Sequence, residues 1–280
     1  MLIIKAHQIE AFARPSMERY EKALIEYLRT AWPRECRLTG GDAALLHAVR
    51  RIVRAAQANG YETSRQLTLY ANLVFSLGIG FDTDPQFHWA STALLNESIE
   101  NPTVRIERLC EALIEYFGKV GSPDSERLAH ALRRALEYDF TTAPDTTGDA
   151  LIEDLCDVLG KLWPEKLAFQ ETSPTLAMIE TAIEKAARHD ITCPMGRCVF
   201  ATASYFFGHG VDIDPLHPWM ASVLTGAGDC AGNDSSESNG DRNGAGNGNG
   251  AGNDAGAGEA RAQALRGALL NRLAQSLTRE

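Results

Sequence analysis

The chain has 280 residues, of which 44% are hydrophobic and 23% charged, and its formal net charge is −10 at pH 7. These proportions are typical of globular protein, and the length allows one large domain or two of modest size. The acidic balance argues against a general binder of nucleic acid or of anionic membranes. No apolar stretch approaches the roughly 18 residues that a membrane-spanning helix needs.

The start of the chain and its cysteines indicate the compartment. Residues 1–7 lack the basic region, the apolar core and the small-residue cleavage site of a signal peptide. Six cysteines are scattered along the chain and no CxxC pair occurs, so we expect reduced thiols rather than a disulfide framework. The sequence therefore predicts a cytoplasmic protein without a membrane span.

Apolar residues recur at helical spacing along most of the chain. A first stripe runs from Met17 to Ala31 and stops before Pro33, and two further stripes cover 45–56 and 67–77. The same order returns at 151–162, before Pro164, and then at 176–186 and 199–207. Because alternating strand patterns are scarce, the predicted fold class is all-α.

The pattern also predicts an internal duplication. Residues 78–89 (GIGFDTDPQFHW) align with residues 208–219 (GHGVDIDPLHPW) at a shift of 130, with six of twelve positions identical. Trp32-Pro33 aligns with Trp163-Pro164 at a shift of 131. We therefore predict a tandem duplication of a unit of four to five helices.

Each aligned loop is predicted to end one helix and begin the next. The glycines suit the end of a helix, and Asp84-Pro85 and Asp214-Pro215 read as a capping residue followed by the first helical position. Trp89 and Trp219 follow within one turn. Six residues are therefore candidates for a special surface: Asp82, Asp84, Trp89, Asp212, Asp214 and Trp219.

The C-terminal part contains a low-complexity run. Residues 226–258 are almost wholly Gly, Asn, Ala, Asp and Ser, so this Gly/Asn-rich insert is expected to be flexible. Leucines spaced by four residues follow it, and at a shift of 156 they align with the helix predicted at 105–117. The last helix is predicted to complete the second unit; the alternative is a tethered helix for a partner.

These observations give four predicted segments. Residues 1–120 form the first repeat unit, and 121–225 hold a bridging helix, near 126–138, and the second unit. Residues 226–258 are the insert, and 259–280 form an amphipathic C-terminal helix that completes the second unit.

No metal, cofactor or catalytic motif is predicted. Paired aspartates can bind a hard cation, but both loops lack the further ligands of a calcium loop, so helix capping is the favoured interpretation. His189, Cys193, Cys198 and His209 do not have the spacing of a standard zinc finger. The chain also lacks a nucleophile elbow, a phosphate loop and a His-Glu-x-x-His pair.

The ordered series of these motifs resembles a family. Trp32-Pro33, Tyr61, Phe81-Asp82-Thr83-Asp84-Pro85 and Trp89, with their weaker second copies, resemble helical accessory proteins encoded beside the spike and effector genes of type VI (contractile) secretion systems. The resemblance covers about 100 residues of each half. It implies a cytoplasmic accessory protein and carries no catalytic residues.

Three functional hypotheses follow. The first is a non-enzymatic protein-binding module, an adaptor or chaperone for a secreted effector or spike protein. The second is an immunity protein whose acidic surface neutralises a basic toxin. The third is a hydrolase-type enzyme with an acid–base set formed by Asp82, His88, Asp212 and His217. The absence of catalytic motifs favours binding over catalysis.

Overall fold

The computed structural model describes the backbone of residues 6–94, 99–122, 124–226 and 253–278, with side chains in those ranges except at 6–15, 93–94 and 253–255. This part of the chain is all-α, as the sequence predicts, with thirteen α-helices, two 3-10 turns and no strand. None of its helices combines the length and the apolar character needed to cross a membrane. Most of the predicted Gly/Asn-rich insert, residues 227–252, lies outside the described residues.

The chain is organised as two compact units. Unit 1 consists of Met1–Lys119 and Phe207–Pro218, and unit 2 consists of Val120–Phe206 and Trp219–Glu280. A short segment that is distant in sequence, Phe207–Pro218, therefore completes unit 1.

Unit 1 is built from helices whose starts are set by local sequence. α2 begins at a proline, which has no N–H to lose at the first helical position. α4 begins with a capping box, in which Thr63 accepts a hydrogen bond from the Gln66 N–H and the Gln66 side chain accepts one from the Thr63 N–H. The helices are α1 (Ala6–Ala31), α2 (Pro33–Leu38), α3 (Asp42–Ala58), α4 (Ser64–Leu77), α5 (His88–Leu94) and α6 (Pro102–Val120).

The core of unit 1 lies where α3 packs against α4 and α1 packs against α3. The apolar stripes predicted from the sequence supply it, and several of their members are almost fully buried. These are Leu24, Leu28, Leu45, Val49, Ile52, Leu67, Tyr70 and Val74. Burial of such stripes, rather than helix propensity, provides most of the stability of helices of this length.

Unit 2 contains the remaining helices. They are α7 (Glu126–Glu137), α8 (Gly148–Leu162), α9 (Pro164–Gln170), α10 (Thr172–Arg188), α11 (Pro194–Phe207), α12 (Pro218–Leu224) and α13 (Asn253–Leu277). α13 starts before residue 259, where the sequence pattern placed the last helix. It packs against α7, and its leucines Leu265, Leu269 and Leu273 are fully buried.

Corresponding helices of the two halves have the same lengths. α3 and α10 each have 17 residues, and α4 and α11 each have 14. In unit 1 the Arg105 guanidinium donates to the Asn59 carbonyl, and in unit 2 Arg261 donates to the His189 carbonyl. The two arginines are 156 residues apart and the two acceptors 130, as in the sequence alignment. The helices of the two halves thus correspond in length and in this contact, and the duplication itself stays a prediction.

Unit 2 also buries a lysine. Lys166 is 2% exposed, and its ammonium donates to the Tyr205 carbonyl in the last turn of α11. The same ammonium lies 5.1 Å from the centre of the Trp163 ring and 4.5 Å from that of the Tyr205 ring. Cations are favoured at the carbonyl end of a helix and over aromatic faces. The lysine therefore links α9 to the end of α11.

We expect Lys166→Ala to lower the free energy of unfolding by about 2–4 kcal/mol, because it removes both the charged hydrogen bond and the packed aliphatic stem. Lys161→Ala is the matched control: this lysine lies on the neighbouring helix and is exposed, so we expect a change within about 0.5 kcal/mol. Urea denaturation measures both. Equal effects of the two substitutions would contradict a structural role for Lys166.

Candidate functional site

The two aligned loops lie against each other inside unit 1. We call residues 78–87 the first loop and residues 207–218 the second loop. A Cβ atom placed on Gly78 would lie 2.3 Å from the Phe207 carbonyl oxygen, and one placed on Gly208 would lie 2.7 Å from the Leu77 carbonyl oxygen. The backbones therefore approach each other more closely than any side chain would allow, and glycine is required on both sides.

Asp84 connects the first loop to the second. Its Oδ1 accepts a hydrogen bond from the Gln86 N–H at 2.9 Å and so caps the 3-10 turn Pro85–Phe87, which confirms the predicted capping role. Its Oδ2 accepts from the His209 N–H of the second loop at 2.7 Å and from the Gln86 amide at 3.1 Å. The carboxylate is almost fully buried, at 2% exposure.

Asp214 makes the reciprocal contact. Its Oδ1 accepts from the Leu216 N–H at 2.8 Å, and its Oδ2 accepts from the Ile79 N–H of the first loop at 2.9 Å. Leu216 stands where the first loop has Gln86, so Asp214 receives no side-chain amide from that position. Burial raises the pKa of Asp214 to about 6, although the two backbone N–H groups and the nearby Arg51 charge act in the opposite direction.

The raised pKa of Asp214 predicts a pH-dependent stability. Between its unfolded value near 3.8 and the folded value of about 6, the folded state holds a proton that the unfolded state has released. Stability is therefore greatest at the acid end of this window and falls as the pH rises through 6. We expect the wild type to lose about 2 kcal/mol relative to Asp214→Asn between about pH 4 and pH 7. If the free energies of unfolding of the two proteins changed with pH in the same way across this range, the raised pKa of Asp214 would be contradicted.

The other two candidate aspartates are half-buried. Asp82 accepts hydrogen bonds from the Asn59 amide at 3.1 Å and from the Tyr70 hydroxyl at 3.4 Å. Burial and the neighbouring Asp82 charge raise the pKa of Tyr70, which keeps its hydroxyl protonated as a donor. Asp212 lies near the tip of the second loop, next to the exposed Ile213. The structure thus separates an inner pair, Asp84 and Asp214, from an outer pair.

The candidate tryptophans lie in different units. In unit 1 the half-buried Trp89 stacks on Tyr116, with ring centres 5.6 Å apart, and Phe87 meets both rings edge-on. Trp219 belongs to unit 2, where it is half-buried near the start of α12. Trp89 therefore joins the first loop to α6.

The other sequence candidates have ordinary packing environments. His217 is buried and packs on Phe207 at 4.9 Å between ring centres, whereas His88 is exposed. His189 stacks on Phe200, and burial raises the pKa of the Cys198 thiol to about 12. Within the described residues, no group of three or more His, Cys, Asp or Glu side chains could hold a metal ion.

Sequence reasoning missed the residues that position the tip of the second loop. The Arg51 guanidinium on α3 donates to the Ile213 carbonyl at 2.6 Å, and the Ile213 side chain remains 55% exposed. Ile213, which stands between two aspartates, was the signal available in the sequence. A large aliphatic side chain in a loop either packs into the protein or is exposed at its surface. The paired loops thus expose the Ile213 side chain, and the hydrogen bond from Arg51 fixes the backbone that carries it.

Each unit also has a shallow groove at its Trp-Pro bend. In unit 1 a groove of about 340 Å³ is lined by Arg29, Cys36 and Arg37 among others. In unit 2 a groove of about 630 Å³ lies at the corresponding place, with Lys161 and Leu167 in its lining. At aligned positions the two linings have the same residue only at the proline, Pro33 and Pro164.

No protein-family model, curated protein or solved structure matches the chain.

Proposed function

We propose that the protein is a non-enzymatic, cytoplasmic protein-binding module, an adaptor or chaperone for a secreted effector or spike protein of a contractile secretion system. This proposal rests on the hydrogen bonds of the two inner aspartates, Asp84 and Asp214. Both are almost fully buried, and each accepts backbone N–H groups from both loops. Buried carboxylates that accept backbone N–H groups hold the backbone of both loops in place. This structural role favours a rigid binding surface over a catalytic centre.

Two further properties support binding of a polypeptide. The tip of the second loop presents Ile213 beside the half-buried Asp212, on a backbone fixed by Arg51. A surface that is already ordered loses little conformational entropy on association, so more of the contact energy remains as affinity. The motif series that resembles secretion accessory proteins supplies the proposed partner class.

A pull-down from the native host tests this proposal. The full-length protein is used as bait, with Ile213→Glu as a variant of the presented tip and Glu62→Gln as a control at an exposed site. We expect the wild type and the control to recover an effector or spike protein, and Ile213→Glu to recover less of it. Failure of the wild type to recover any secretion component would contradict the proposal.

The net charge favours a second candidate, an immunity protein. A chain with a formal charge of −10 is complementary to a basic toxin, and such complementarity speeds association. Deletion separates the two functions: loss of an immunity protein stunts or kills the producing cell, whereas loss of an adaptor abolishes delivery and leaves growth normal. A growth defect that is relieved by also deleting a neighbouring toxin gene would decide for immunity.

A further inference from the structure

We infer that one face of α6 is a docking site for an amphipathic helix of a partner protein, with an alanine- and leucine-rich apolar face. We call this face the α6 strip; it consists of Cys110, Leu113, Ile114 and Phe117. The inference rests on the proposed binding function and names the chemistry of the partner.

The first step is that α6 and α13 hold equivalent places in their units. Arg105 near the start of α6 donates to the Asn59 carbonyl, which follows α3. Arg261 in α13 donates to the His189 carbonyl, which follows α10. In both units, an arginine of the last helix therefore donates to the backbone carbonyl that follows an earlier helix.

The second step is that unit 2 covers its own copy of the strip. α7 packs against α13, and the small or aliphatic side chains Ala131, Leu132 and Ala135 of α7 are buried. Leu269 and Leu273 of α13, which align with Leu113 and Phe117, are 0% exposed. Unit 2 therefore shows what kind of helix fits this face.

The third step is that the α6 strip is left open. Leu113 and Phe117 are only half-buried, and Ile114 is 73% exposed, more than any other large hydrophobic residue with a described side chain. An open aliphatic face of this kind marks an interaction surface.

The fourth step is the size of the side chains that fit the face. The carboxylates beside Ile114 are already paired, Glu107 with Arg65 at 2.7 Å and Glu111 with Arg108 at 3.8 Å, so they select no charge on the partner. α7 packs against α13, and its buried residues include Ala131 and Ala135. A helix with small side chains therefore fits this face.

The test uses a labelled synthetic peptide with the sequence of residues 125–138, which covers α7, and measures its binding to the full-length protein by fluorescence anisotropy. We expect Ile114→Glu to weaken binding at least tenfold. Val104→Glu is the matched control, since Val104 lies on the same helix, is 41% exposed and is outside the strip; we expect unchanged affinity. Circular dichroism checks that both variants remain helical.

Other outcomes would overturn the inference. Binding that is equal for both variants places the peptide elsewhere, for example on α13 in exchange for α7. A dimer of the wild type that Ile114→Glu converts to a monomer shows a second copy as the occupant. Tighter peptide binding after deletion of residues 1–14 shows that the chain's own N-terminal segment covers the strip.

The inference and the proposed function can fail separately. If the native pull-down recovers a secretion component equally with Ile114→Glu and with the wild type, the docking site is wrong and the binding function stands. If the peptide binds through Ile114 but no secretion component is recovered, the docking site stands and the partner class is wrong.

Discussion

Replacing Gly78 by alanine is expected to lower the free energy of unfolding by about 2–6 kcal/mol. Two causes act together. The backbone of Gly78 has φ +92° and ψ 164°, a conformation that is strained for any L-residue. The new methyl group would also lie 2.3 Å from the Phe207 carbonyl oxygen, which is backbone and cannot turn aside. The loops would have to separate, and their reciprocal hydrogen bonds would lengthen.

Gly41→Ala provides a matched control. Gly41 has φ +104° and ψ −178°, so its backbone strain is comparable, but nothing lies within 4 Å of its added Cβ. We expect Gly41→Ala to cost only about 1–3 kcal/mol. The difference between the two variants in urea denaturation isolates the cost of the close loop approach. Equal costs would mean that the two loops do not touch in solution.

Local sequence chemistry predicted much of the helical framework. Pro85 is the first residue of a 3-10 turn, as predicted, whereas the same prediction for Pro215 is wrong, because α12 begins only at Pro218. Pro33 and Pro164 follow the ends of α1 and α8, as predicted, and they also begin α2 and α9. The interpretation of Asp84 as a capping residue is also confirmed. Such signals are readable because their partners lie within a few residues.

The pairing of the loops could not be predicted in the same way. Capping uses Oδ1 of Asp84 and is encoded locally, whereas Oδ2 accepts from His209, which is 125 positions away. Helical periodicity contains no information about contacts at such a separation. A usable signal was the Gly-x-Gly in each loop: one glycine can end a helix, and the second indicates that another backbone passes close by. Gly210, whose added Cβ would lie 2.4 Å from the Ile79 carbonyl oxygen, has that role.

Asp84→Ala is expected to lower the free energy of unfolding by about 3–5 kcal/mol, because it leaves the backbone N–H groups of Gln86 and His209, the first of them buried, without their acceptor. Asp82→Ala is the control in the same loop. Asp82 is half-buried and accepts only from the side chains of Asn59 and Tyr70, so we expect a loss of about 1 kcal/mol. Chemical denaturation at neutral pH measures both.

The reciprocal geometry makes a further prediction for the double variant Asp84→Ala/Asp214→Ala. Each aspartate holds the same pair of loops together, so losing one contact loosens the loops and lets water reach the N–H groups that the other aspartate satisfies. We therefore expect the double variant to be less destabilised than the two single variants added together, by about 0.5–3 kcal/mol. Strict additivity would mean that each aspartate acts only within its own loop. Hydrogen exchange at the Ile79 and His209 amides supplies an independent readout, because both should lose protection when either aspartate is removed.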